Sequence, residues 1–308
     1  IGTAPKASYW LLRSEDVNSE YPIEEDYWMV ALEFADSVGC DVINTSLGYH
    51  SFDNVALNHS YNEFDGNTLL ISQSANRAVA KGMVLVCSAG NERNNSWGKI
   101  SAPAEAEDVL AVAAVNSSGF IASFSSPGFE GRIPLKPDVS AMGVGTTVAK
   151  ASNTFPTGSG TSYASPLLAG MVACLVQLAP TKTAFEISDW VRQAGDRYPN
   201  HSLDFGFGVP HFPSILKQNK LVSVTNTEIS KALKIRPNPF QTSFQIELPK
   251  GFSSFQLFNL QGKLVYSSNY NSYFATVETV DAAAFVPRGM YVGVLVSEQG
   301  VSTQKLMK

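Results

Sequence analysis

Up to about residue 215, apolar positions alternate between two spacings. In the run Ile23–Gly39, "IEEDYWMVALEFADSVG", residues Tyr27, Val30, Ala31, Phe34, Ala35 and Val38 recur at helical spacing, which predicts an amphipathic helix with those side chains turned inward. Glu24, Glu25 and Asp26 in its first turn suit the positive end of a helix, and Gly39 suits its C-terminal cap. "DVINTS" follows as a short buried strand. A second unit repeats the order: "NTLLISQSANRAVAKG" reads as a helix capped by Asn67 or Thr68 and ended by Gly82, and "MVLVCSA" as a strand. "VLAVAAV" from Val109 is a further β-rich run. A long apolar helix is expected from about Ser162 to Ala179, with Pro166 in its first turn and Pro180 beyond its end, and another from about Thr183 to Ala194. Strands that are apolar on both faces and separated by helices predict an α/β domain of three layers around a parallel sheet.

Beyond about residue 220 the helical period disappears. Short alternating runs replace it, "SFQIELP", "SSFQLFNL", "KLVYSS" and "MYVGVLVS", separated by turn signals at Asn259–Gly262 and Pro287–Gly289. This predicts a small all-β sandwich, with the boundary between Lys217 and Lys231 and domains of 1–220 and 221–308. The charge changes with the texture. From Asn226 onward basic residues outnumber acidic ones eight to five, against fourteen to twenty-two before it.

The formal net charge of −5 gives no reason to expect nucleic acid or an anionic membrane as a partner. The apolar run Leu167–Leu178 is too short for a membrane span and holds Gly170 and Gln177. Cys40, Cys87 and Cys174 sit in apolar contexts without metal-ligand spacing and read as small buried hydrophobes. The sequence shows neither a signal peptide nor an initiating methionine, so a start within a longer protein is the expectation.

The candidate chemistry lies in "GTSYASP", Gly160–Pro166. A serine at the start of a helix is held in one direction, next to backbone N–H groups without intrahelical partners. Taken singly, Ser162 reads equally well as an N-cap. "VLVCSAGN" ends a strand on Ser88-Ala89-Gly90-Asn91, at the strand end where open α/β sheets place functional groups. "DVINTSLG" likewise ends a strand on Ser46-Leu47-Gly48, and "KPDVSAMG" adds a polar turn at Lys136–Gly143.

These four pieces in this order resemble the subtilisin-like serine peptidases, the subtilases of peptidase family S8. The resemblance covers about residues 1–215. It implies that Ser162 is the acylating nucleophile, and that the Asn91 amide and the Ser162 N–H form the oxyanion hole. It implies that Ser46, Leu47, Gly48, Ser88, Ala89, Gly90, Gly160 and Thr161 line the cleft for a peptide or protein substrate. The family order is Asp, then His, then Ser. "GTAPKA" at Gly2 is similar to the segment that follows the catalytic-histidine helix, so the Asp and His are expected in a missing N-terminal segment. His50, His59, His201 and His211 read as surface or loop residues. The chain alone is therefore expected to be inactive, and the full-length protein to be a serine endopeptidase. A peptide-binding pseudoprotease or a surface adhesin on the same scaffold is the competing reading. No cofactor is required. Structural calcium is compatible with the insertion Tyr49–Asn67, which holds Asp53, Glu63 and Asp65.

The end of the chain carries a second resemblance. Pro237-Asn238-Pro239, Gly262-Lys263, Gly289-Met290-Tyr291 and the basic Lys305 and Lys308 are similar to a type IX secretion (Por) C-terminal sorting domain. That implies export machinery as a partner, a Bacteroidetes-type source, and a secreted or cell-surface location.

Overall fold

The computed structural model describes residues 2–219, 221, 234–248, 252–269, 276–282, 286–297 and 300–308. The chain divides into two compact units, Ile1–Val222 and Ser223–Lys308.

The first unit is built on a parallel sheet of four strands in the order β1 (Val42–Thr45), β2 (Val84–Ser88), β3 (Leu110–Val115) and β4 (Val139–Met142). Every residue of β2 and β3 is buried, as continuous apolar runs without alternation require. Helices α1 (Ile23–Ser37), α2 (Leu70–Ala80), α3 (Thr161–Leu178), α4 (Ala184–Gln193) and α5 (Phe212–Gln218) and a two-stranded ribbon of β5 (Thr146–Thr147) and β6 (Thr157–Gly158) complete the unit. Thr183 caps α4 through a reciprocal box with Glu186. α3 has 18 residues and a mean hydropathy of 1.4, long and apolar enough by composition to cross a membrane. The unbroken apolar run Leu167–Leu178 is only its C-terminal part. In the fold, α3 packs on all four strands, and Ala164, Leu168, Val172 and Leu175 enter the core.

Three expectations are corrected. α1 forms where predicted but turns a different face inward: Trp28, Leu32 and Ala35 are buried with Glu24 and Glu25, while Tyr27, Val30, Phe34 and Val38 are exposed. Neither Asn67 nor Thr68 caps α2; both of their N–H groups donate to Asp65, and the N-cap position is Leu69. "KPDVSAMG" supplies strand β4 rather than only a turn. Of the three cysteines, all free, only Cys87 is fully buried.

Lys136 and Asp138 explain why so polar a stretch lies in the core. Lys136 Nζ donates to Asp138 Oδ2 (2.9 Å) and to the Val109 carbonyl (2.7 Å). Arg192 Nε from α4 donates to Asp138 Oδ1 (2.6 Å), and the Ala111 N–H donates to Oδ2 (2.8 Å). Burial alone would raise the Asp138 pKa, but the two cations hold it below the ordinary carboxylate value. The network ties β3, β4 and α4 together.

The insertion after β1 is tied down as well. His59 Nε2 lies 2.7 Å from Glu25 Oε1, with its ring between Phe52 and Phe64. Burial pulls the His59 pKa down, but the hydrogen bond and charge of Glu25 outweigh it, and the net direction is upward. His59 is thus half-buried and structural rather than a free loop residue.

The second unit holds two antiparallel sheets, which bears out the sandwich. One has the order β10 (Leu264–Asn269), β9 (Phe252–Asn259), β12 (Met290–Ser297), β13 (Gly300–Met307); the other has the order β11 (Thr276–Asp281), β8 (Ser243–Leu248), β7 (Lys234–Arg236). Ile235, Phe244, Ile246 and Val280 from one sheet share a core with Phe255, Leu257, Leu295 and Leu306 from the other. The Asn259–Gly262 signal forms the β9–β10 turn, closed by the Gly262 N–H on the Asn259 carbonyl (3.0 Å). Part of the predicted boundary region lies outside the described residues.

Two stability predictions follow from the buried pairs. Asp138→Asn leaves two cations facing a neutral amide, and urea denaturation should show a loss of about 3–5 kcal/mol. For His59, a folded-state pKa above the ordinary value means that folding takes up a proton. The stabilisation is complete below about pH 6.5 and is lost as pH rises through the folded pKa. Denaturation midpoints measured from pH 5.5 to 9 should fall less for His59→Gln than for the parent chain.

Candidate active site

The site forms where the end of β2, the end of β1 and the start of α3 meet. Gly143 brings the loop before α3 close to the sheet: a side chain there would lie 2.6 Å from Ala114 Cβ and 2.7 Å from the Gly160 carbonyl, and the Gly160 N–H donates to the Gly143 carbonyl (2.8 Å). Thr161 is fully buried at the first position of α3. Its N–H and its hydroxyl both donate to Asn91 Oδ1, at 2.9 and 3.0 Å, and its Oγ1 accepts from the Gly90 N–H (3.2 Å).

This clamp decides the orientation of Asn91. A backbone N–H requires an oxygen opposite it, so Oδ1 must face Thr161 and the Nδ2 amino group must face away. Among the described hydrogen bonds neither Asn91 Nδ2 nor the Ser162 N–H has a partner. Two donors are thus left free beside a partly exposed serine.

Ser162 is held by a reciprocal pair of contacts with β1's exit. Its Oγ donates to the Ser46 carbonyl (3.3 Å), and Ser46 Oγ donates to the Ser162 carbonyl (3.2 Å). Pro166 makes the second contact available. It lies at the sixth position of α3, inside the helix rather than in its first turn, and it has no N–H to give the carbonyl four residues back. That carbonyl belongs to Ser162, and the Ser46 hydroxyl fills it. Asn44 Nδ2 in turn donates to Ser46 Oγ (3.0 Å), and Ser165 Oγ donates to Asn44 Oδ1 (2.6 Å).

The residues expected to line a cleft divide into two groups. Ser46 and Gly48 are exposed and Leu47 is half-buried, on a segment that continues into Tyr49, which pairs with Ala102 in both directions at 2.8 and 3.1 Å. Ser88, Ala89, Gly160 and Thr161 are buried, so the Ser88, Ala89 and Thr161 side chains do not face an open surface. The Ala89 N–H is spent on Val112 and the Gly90 carbonyl on Ser126. These contacts fix the shape of the site. The motifs gave no sign of Asn44, or of Ser101, which lies against Gly48 and Gly90. Ser165 and Asn44, like Ser101 and Gly48, are far apart in the chain.

No histidine among the described residues contacts Ser162. His50 Nε2 lies 3.5 Å from Glu92 Oε2, with its ring stacked on Trp97; His59 meets Glu25; His201 Nε2 meets the Pro137 carbonyl; and His211 precedes α5. Asp53, Glu63 and Asp65 each accept from N–H or hydroxyl groups, and no three acidic, histidine or cysteine side chains among the described residues gather as metal ligands.

With this geometry in hand, comparison with known proteins is direct. A model of the subtilase family, peptidase S8, matches residues 2–209, and one of a secretion system C-terminal sorting domain matches residues 234–308. Subtilisin DY of Bacillus licheniformis is 35% identical over 188 residues, covering 61% of this chain and 60% of its own. Subtilisin E of Bacillus subtilis (strain 168) is 32% identical over 211 residues, covering 68% of this chain and 49% of its own. The chain thus spans only part of the length of these relatives. The self-cleaved protease domain of PatA matches with a TM-score of 0.52 at 21% identity, over 65% of this chain and 69% of that one, a likeness of fold. The sorting domain and the secretion system it names place the protein outside the cell or on its surface. The family match takes in both ends of the Asn91–Thr161 clamp and most of the chain, and the chain belongs to the subtilase family.

Proposed function

We propose that Ser162 is the nucleophile of a secreted serine endopeptidase, and that the aspartate and histidine of its catalytic set belong to a segment upstream of these residues. The observation that carries this reading is the pair of free donors, Asn91 Nδ2 and the Ser162 N–H, beside the Ser162 hydroxyl. When Ser162 Oγ attacks a peptide carbonyl, the carbonyl oxygen gains negative charge, and two preorganised donors stabilise it. The serine proton then needs an acceptor more basic than the Ser46 carbonyl that it now faces.

The outer surface of the sheet supports an upstream partner. β1 is an edge strand in which Val42 and Ile43 are only partly buried and Asn44 is exposed, whereas parallel sheets are ordinarily covered on both faces. Tyr27, Val30, Phe34 and Val38 of α1 are exposed, as are Trp10 and Leu11. A segment that pairs with β1 would bring its side chains to the strand end where Ser46 and Ser162 meet. The exposed Ser46-Leu47-Gly48 segment offers backbone to an extended peptide substrate. The C-terminal sandwich serves recognition by the type IX export machinery and takes no part in the chemistry.

Labelling with a fluorophosphonate tests the first claim. The 308-residue chain should label no more than its Ser162→Ala variant, because losing the histidine costs subtilisin itself about 2 × 10⁶ in kcat. The protein extended upstream should label readily and cleave casein; labelling of the short chain, or none of the extended one, contradicts the reading. In the extended protein, Asn91→Leu should lower kcat by about 10²–10³ with little change in KM, the loss that one missing oxyanion donor causes in subtilisin. Kinetics on a chromogenic peptide measure the split.

A further inference from the structure

The second unit has two outer faces of opposite chemistry. Alternation sorts each strand of its four-stranded sheet into an inner and an outer side. Phe255 and Leu257 of β9, Tyr291 and Leu295 of β12 and Leu306 of β13 enter the core. Gly293 of β12 points the same way: a side chain there would lie 3.0 Å from Phe255, 3.1 Å from Leu306 and 3.2 Å from Ile235. The residues between them therefore face outward. Phe258 is paired with Leu264 on one side and with Val292 on the other, and Val292 is paired with Lys305. This row crosses all four strands, a width of about 14 Å. Met290 and Met307 are paired beside it. Leu264, Met290 and Met307 are 46%, 48% and 47% exposed, and Phe258 and Val292 are partly exposed.

The three-stranded sheet turns a different surface outward. Its outer rows are Lys234, Glu247 and Val277, then Arg236, Gln245 and Thr279. Lys234 Nζ lies 3.3 Å from Glu247 Oε2. Polar residues on the outer side are the ordinary pattern for an antiparallel sheet with one face in water. The four-stranded sheet departs from it. Its outer face holds Lys305 and, among the described residues, no carboxylate.

The signature segments of this unit divide along the same line. Asn238 Nδ2 donates to the Lys305 carbonyl (2.7 Å), and the Met307 N–H donates to Asn238 Oδ1 (3.0 Å). Tyr291 donates its hydroxyl to the Pro287 carbonyl (2.8 Å), and Lys308 Nζ donates to the Ala282 carbonyl (3.1 Å). Asn238, Tyr291 and Lys308 thus hold the sandwich together. The side chains of Met290 and Lys305 take no part in this and stand on the apolar face.

The match to a secretion system sorting domain supplies a partner for the unit. A second copy suits the face less well. A two-fold contact centred on Phe258 and Val292 would bring two Lys305 ammonium groups close together, with no carboxylate on either face to meet them. We infer that the outer face of the four-stranded sheet, through Phe258, Leu264, Met290, Val292 and Met307, docks against an apolar surface of the export machinery that carries a carboxylate for Lys305. This rests on the sandwich being an export signal.

The test follows the complete protein, with its upstream segment, in its source bacterium and in a strain that lacks the type IX system. The quantity measured is the share that reaches the medium or the cell surface. Phe258→Gln/Val292→Thr should lower that share about tenfold and leave the protein inside the cell envelope. Val277→Thr/Glu247→Gln on the opposite sheet should be exported like the parent. Lys305→Arg should be exported as well, and Lys305→Glu retained. Because Lys305 is exposed, this pair decides the case if the first double variant does not fold. Export of the face variants at the parent's level, or equal loss from both double variants, overturns the inference and leaves the export reading standing. If the face variants abolish dimers in sedimentation, or binding to vesicles of outer-membrane lipid, with export unchanged, the face belongs to a second copy or to the membrane, and the inference falls. Parent protein that leaves the cell equally well without the type IX system removes the export reading, and the inference falls with it.

Discussion

The arrangement at Ser162 depends on one side-chain oxygen. Asn91 Oδ1 receives two hydrogen bonds from Thr161, and Thr161 Oγ1 receives one from Gly90, so the end of β2 and the start of α3 are locked at a single point. The chemistry of the residue types does the rest. An aspartate could accept the same two hydrogen bonds, but it would turn a second oxygen outward, where a developing oxyanion would be repelled. An alanine would leave the buried Thr161 N–H and hydroxyl unpaired, at about 1–3 kcal/mol for such a group. Only an amide satisfies the buried donors and still offers one outward. The same bonds that stabilise the fold therefore orient the site, and no separate device is needed to aim the donor.

α3 shows how a core element is made to carry chemistry. Most of its length is apolar and packs on the sheet, which fixes its axis and hence the position of its first turn. Pro166 would be a defect in an ordinary helix, since it removes a bond of about the strength that holds each turn and crowds the carbonyl four residues back. Here that carbonyl is Ser162's, and Ser46, just past the end of β1, supplies the missing donor. The interruption becomes a link between the nucleophile's backbone and the wall of the cleft.

How much of this was legible in the sequence follows from how local each determinant is. β2, β3 and α4 were readable because an unbroken apolar run or a capping box is written in consecutive residues. α1 was readable as a helix but not as an oriented one. It carries two apolar stripes, one through Tyr27, Val30 and Phe34 and one through Trp28, Leu32 and Ala35. Periodicity cannot choose between stripes; the partner does. Trp28 wins through its hydrogen bond to Thr45 (3.2 Å) and its place in the core, and two glutamates are buried with it. β4 was read as a turn because Pro137, Asp138 and Ser140 look like loop residues. Their burial depends on Arg192 and on Phe205 and Gly208, which satisfy them from more than 50 residues away in sequence. At the site, Ser162 and Asn91 stood out by motif, while Thr161's part as a clamp and Asn44's as a support depend on contacts across the fold.

The buried acids of the first unit form two contrasting groups. Asp138 is fully buried, yet each of its oxygens has a cation and one also holds a backbone N–H, so its desolvation is offset within the protein. Glu24 is equally buried but has one oxygen without a partner, and its neighbours Glu15, Glu20 and Asp53 add charge of the same sign. Nothing in the core calls for this second group: Tyr49 could hold its place through its backbone bonds to Ala102 and its buried ring alone. Its cations thus explain Asp138, whereas Glu24 sits in the first turn of α1, where the positive helix end favours a carboxylate and the Asp16 N–H donates to its Oε1.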